Sequence, residues 1–109
     1  MAATKPLNET AVIALGDGSN RAVSRIVFQV RDDGSMSTSF VVKAKVRGLA
    51  ATELIAVPYT NRGTGAAVAA STAITAEGLF EVDATGVEIF LDNTYTSGKG
   101  SVHYVPVEG

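Results

Sequence analysis

Apolar and polar residues alternate along most of this chain with a period of two, the repeat of a strand with one covered face, and not with the 3.6 of a helix. From Phe40 to Arg47 the residues Phe40, Val42, Ala44 and Val46 share one face, and Lys43, Lys45 and Arg47 share the other. As a strand this predicts a buried side and a solvated basic side. Val87, Ile89 and Leu91 alternate in the same way through Val87–Asp92. Ile26, Phe28 and Val30 lie opposite Arg25, Val27 and Gln29. Val42, Val46, Ile89 and Leu91 are therefore expected in the core.

Turn residues interrupt these runs at short intervals. Asp17-Gly18, Asp33-Gly34, Asn61-Arg62-Gly63-Thr64-Gly65, Thr85-Gly86 and Ser97-Gly98-Lys99-Gly100 each carry the glycine that a chain reversal asks for. Between them fall about eight predicted strands: 10–16, 22–31, 36–47, 52–60, 66–74, 78–84, 86–95 and 100–107. The alanines of 66–74 would also suit a short helix. Eight short strands with glycine turns predict an all-β, antiparallel sandwich of jelly-roll or immunoglobulin-like type over 10–109. Residues 1–9, with Pro6 and a polar mixture, carry no strand pattern. They are expected to form an N-terminal arm that serves binding more than folding.

Length and composition narrow the picture. At 109 residues the chain is one domain, large enough to bury a core without covalent staples. It has no cysteine, which excludes disulfides, thiolate metal sites and cysteine nucleophiles. A net charge of −2 from nine basic and eleven acidic residues is too weak and mixed for nucleic-acid binding by counterion release. Charged residues are 18% of the chain against an apolar share of 46%, so small neutral residues must cover much of the surface. Such a surface suits a subunit with several contact faces, and equally an ordinary small β domain. Met1–Thr10 lacks the apolar core of a signal peptide, and Ala11–Leu15 is far too short to span a membrane. Asn8-Glu9-Thr10 matches a glycosylation triplet of a kind that also arises by chance.

Chemistry-bearing residues are sparse. His103 is the sole histidine and would need a serine and a carboxylate beside it to form a hydrolytic triad, partners that no spacing supplies. Asp32-Asp33-Gly34-Ser35 and Asp92-Asn93-Thr94 resemble fragments of calcium loops without the full ligand spacing, and Asx turns use the same residues. Ser97–Ser101 lacks the first glycine of a phosphate loop and is expected to be a hairpin turn. The stripe of Lys43, Lys45 and Arg47 has no aromatic interleaving for stacking on single strands. No catalytic residue, metal site or cofactor is expected. Tyr59 and Tyr95, whose rings join apolar area to a hydroxyl, are candidate partner contacts together with Lys5, Pro6, Leu7 and Arg62.

The succession of Asp33-Gly34, the run Ser39–Arg47, Leu54–Tyr59, the loop Thr60–Gly65, Thr75–Val87 and Asn93–Gly98 with a last strand resembles small β-sandwich modules of tailed-phage and prophage structural genes. The likeness runs from about Phe28 to Val107 and rests on fold motifs. Many such modules carry a Trp in the strand matching Glu53–Tyr59, where this chain has none. The resemblance implies a non-enzymatic virion protein made in the bacterial cytoplasm and carried on the capsid surface. Its partners would be the major capsid protein and copies of itself, a trimer being one arrangement, with neither nucleic acid nor membrane. A second implied role is a glycan- or host-surface-binding adhesion module.

Overall fold

The computed structural model describes residues 3–16 and 23–108. The expected Asp17-Gly18 turn lies outside them. The fold is all-β and antiparallel, as the alternation predicts. Its strands are β1 (Ala3–Pro6), β2 (Ala11–Leu15), β3 (Val23–Val46), β4 (Ile55–Ala56), β5 (Tyr59–Asn61), β6 (Ala66–Val68), β7 (Gly78–Asp83) and β8 (Val87–Glu108). A 3-10 turn spans Ala51–Glu53.

Two long strands, β3 and β8, pair along nearly their whole length, and the resulting ribbon folds over on itself. Phe28 and Phe40 belong to the same strand, and twelve extended residues would separate them by about 40 Å. Their ring centroids are 6.4 Å apart, so the ribbon has doubled back and the two halves face each other. One half orders as β1-β8-β3-β7-β5-β6; in the other, β2 flanks β8 and β4 flanks β3. Phe28, Val30, Phe80, Val82, Val102 and Tyr104 from the first half pack on Phe40, Val42, Ala44, Ile89 and Leu91 from the second. Phe80 stacks on Phe28 at 5.4 Å and meets Tyr59 edge-on at 5.7 Å, geometries that add to simple area burial.

The fold-over explains why Asp33-Gly34 and Ser97–Gly100 look like hairpin turns in the sequence. Neither reverses the chain; both are bulged bends inside continuous strands, with register shifts between Asp32 and Thr38. Asp32 lies opposite Gly100 and Thr38 opposite Tyr95, so β3 gains one residue on β8 across the bend. A one-residue gain flips the face that β8 presents. Its inward residues are accordingly Ile89, Leu91 and Asn93 before the bend, and Val102 and Tyr104 after it. Gly98 is required here: its φ is +77° and a Cβ would overlap the Ser35 carbonyl. Asp32 Oδ1 accepts from the amides of Gly34 and Met36 at 3.0 Å each, an Asx turn that holds the bulge.

Three further expectations are corrected. The N-terminal segment, over its described residues 3–9, is not a free arm: β1 pairs with β8 from Ala3↔Tyr104 to Pro6↔Ser101, and Leu7 is 0% exposed. Ala3–Pro6 is too short to display an alternation, which is why it carries no visible strand signal. The predicted strand 52–60 resolves into the 3-10 turn and the short β4 and β5, and of 66–74 only Ala66–Val68 is strand. Val42, Ile89 and Leu91 are buried as expected, but Val46 is 57% exposed. Val46 closes the β3–β8 ladder opposite Val87, and alternation reports the face a residue takes, not how far the opposing layer reaches. The loop after Asn61 does make the predicted hairpin, with Gly65 at φ +78° and its amide bonded to the Asn61 carbonyl at 2.7 Å.

Candidate functional site

Among the described residues, three groups of polar side chains bear on chemistry. The first lies at the bend, where residues 7–10 cross from the β1 half to the β2 half without a strand ladder to satisfy the backbone. Side chains take over that task. Asn93, 0% exposed, donates from Nδ2 to the Glu9 carbonyl at 2.8 Å, and its Oδ1 accepts from the Thr38 hydroxyl at 2.7 Å. Asn8 Oδ1 accepts from the Gly100 amide at 3.1 Å, and Thr10 Oγ1 accepts from the Tyr95 amide at 3.0 Å. The Leu7 amide reaches the Gly100 carbonyl at 2.9 Å. No buried side-chain nitrogen or oxygen among the described residues is left without a partner. This cluster is fully engaged in holding the N-terminal segment to the bend.

A second cluster surrounds His103 on the outer face of the β1 half. Because β8 alternates, Ser101 and His103 share a face, and the β1–β8 register sets Thr4 opposite His103. His103 Nε2 lies 3.2 Å from Ser101 Oγ, and Nδ1 lies 3.0 Å from Thr4 Oγ1. His103 thus bridges a serine two residues away on its own strand and a threonine ninety-nine residues away, and the sequence does not reveal the threonine because only the β1–β8 pairing brings it there. The third position of a triad, however, is filled by a hydroxyl. Thr4 carries no negative charge to stabilise an imidazolium, so what it supplies is orientation of the ring.

The third is the outer face of the other half, where the Lys43, Lys45 and Arg47 stripe lies. The expected solvated basic face is instead an ion-pair ladder: Lys43 Nζ is 2.7 Å from Asp92 and Lys45 Nζ is 3.3 Å from Glu88. The Lys45 side chain is only 8% exposed and its ammonium sits 5.4 Å from the centre of the Phe90 ring. Cross-strand pairing in β3 and β8 neutralises the two lysines of the stripe, and Lys45 stands directly opposite Glu88.

The candidate contacts divide. Pro6 and Arg62 are exposed, and Lys5 is half-buried on β1. Leu7 is core. Tyr59 is buried, with its hydroxyl donating to the Thr72 carbonyl at 3.0 Å, and burial raises its phenol above the usual tyrosine range. Tyr95 is half-buried and donates to the Gly98 carbonyl at 2.9 Å. Both tyrosine hydroxyls are therefore spent inside the protein. Asp92 is taken by Lys43 and Asp32 by its Asx turn, and no group of three or more candidate metal ligands occurs among the described residues. Asp83, which accepts from the Thr85 amide at 2.9 Å, is held below the usual carboxylate range by that bond.

A cleft of about 190 Å³ opens between the two halves at the end away from the bend, lined by Leu15, Ile26, Ala84 and Ile89 with Arg47 and Glu88. Neither Ser101 nor His103 lines it. No described helix is long and apolar enough to cross a membrane. No family model, curated protein or solved structure matches the chain.

Proposed function

We propose that this protein is a non-catalytic structural subunit that coats a protein shell, in the manner of a decoration protein clamping neighbouring subunits of a tailed-phage head. The observation that carries the reading is the character of the exposed surface. From Gly63 to Ala76 the chain has no charged side chain, and nearly all of that segment is exposed. Leu49 and Ile55, at 49% and 69% exposure, extend the neutral surface around the turn after β3. Surface without charge escapes the desolvation penalty of burying ions, and depletion of charge marks the core of protein–protein contacts. The polar clusters support the same reading, because their hydrogen bonds are spent within the fold.

An adhesion module would want aromatic platforms for sugars. Tyr59 and Tyr95 have their hydroxyls turned to backbone carbonyls, so no specific observation favours that alternative. The test is co-sedimentation of the purified protein with phage heads prepared without it. Saturable, stoichiometric binding is the expected result. Heads that bind none, alongside binding to cells or glycans, would overturn the proposal.

A further inference from the structure

We infer that two copies of this chain associate edge to edge through β2, antiparallel, so that one sheet runs continuously across a two-fold axis. The inference deepens the reading of the protein as a shell-coating subunit and rests on it. Every edge strand offers unpaired backbone N–H and C=O groups to another chain, and folded proteins blunt such edges with charge, proline, bulges or shortness. The four described edges can be compared directly. β1 carries Lys5 and Pro6. β4 has two residues and β6 three. β2 has none of these devices: five residues, Ala-Val-Ile-Ala-Leu, without charge or proline, in unbroken register with β8 from Ala11↔Asn93 to Leu15↔Ile89.

The occupant follows from symmetry. A two-fold axis sets each residue near its own copy, so a charged strand would repel itself, whereas a neutral one does not. Behind β2 on the outer face, the nearest charges are already paired with each other as Lys43 and Asp92. Val12, 50% exposed on that face, would be covered by the second copy. An axis perpendicular to the sheet and centred on Ile13 makes the pairing antiparallel, the geometry already used by every strand pair in the fold, and places Val12 of one copy opposite Ala14 of the other.

Sedimentation velocity of the whole protein from micromolar to millimolar concentration tests this, with Val12→Lys and Ala14→Glu as variants and thermal melts to confirm that each is folded. The wild type is expected to dimerise and each variant alone to do so at least about tenfold more weakly, while an equimolar mixture recovers association because Lys at 12 then faces Glu at 14. A wild type that stays monomeric throughout, folded variants that dimerise undiminished, or a mixture that shows no recovery would each overturn the inference. A monomer that still coats heads would overturn it alone. A β2-paired dimer that binds no heads would instead remove the proposed function and leave the pairing standing.

Discussion

Two polar clusters tie the N-terminal segment to β8, one at Asn93 and one at His103, and they are built from similar groups. In each, a β8 side chain bridges to residues within the first ten of the chain. Asn93 is fully buried and bonds a second buried side chain, Thr38. His103 is half-exposed and bonds the exposed Thr4, although Ser101 beside it is buried. The difference teaches that burial, more than the number of hydrogen bonds, sets how much a polar cluster matters to the fold. It also bears on function, because the more reactive residue types occupy the cluster that the fold least needs.

The largest expected effect comes from removing the whole tie. Deleting residues 2–8 takes away β1 and Leu7, and the free protein is expected to lose its cooperative melt; a Tm within a few degrees of wild type would return the segment to the role of a free arm. Asn93→Ala comes next. It removes the donor to the Glu9 carbonyl and one of the two acceptors of the Thr38 hydroxyl, which keeps the Thr94 carbonyl. It also leaves a void at a fully buried position, and about 2 kcal/mol is expected in urea unfolding. A loss below about 1 kcal/mol would show that water enters the bend.

Tyr59→Phe is an intermediate case, since it keeps the buried ring and removes one bond to the Thr72 carbonyl; about 1 kcal/mol is expected. Its pH signature is distinctive. The folded phenol titrates above the unfolded value of 10.0, so the folded state holds its proton after the unfolded chain has released it. This contribution is complete below pH 10 and falls as pH rises through the folded value, and Tyr59→Phe should abolish that part of the alkaline loss. His103→Ala closes the series. It should cost no more than about 1 kcal/mol and leave attachment to heads unchanged. An esterase activity present in the wild type and absent from this variant would reverse the ranking and reinstate Ser101 as a nucleophile.

Much of the fold is legible in the chain because alternation is local. Ile26, Phe28 and Val30, then Phe40, Val42 and Ala44, and finally Ile89 and Leu91 announce their faces through neighbours two residues away, and all are buried. The Asn61–Gly65 hairpin is legible for the same reason, since its glycine and asparagine act within five residues. The sites are less so. Ser101 and His103 are close in sequence, but Thr4 joins them only through the β1–β8 pairing. Asn93 looks like turn or ligand chemistry until Leu7–Glu9 is seen to cross beside it.

The sequence by itself determined an all-β chain with a defined inward face in each long run, no thiol chemistry and a surface short of charge. Only the tertiary structure decided that Asp33-Gly34 and Ser97–Gly100 bend a ribbon rather than end its strands. It alone placed Leu7 in the core, left Val46 outside it and paired the lysine stripe with Glu88 and Asp92. The physical reason is range: period-two patterning and turn chemistry act over a few residues. A bulge, a covered edge or a cross-strand ion pair depends on which distant segment lies opposite, and that is settled by how the whole chain closes its core.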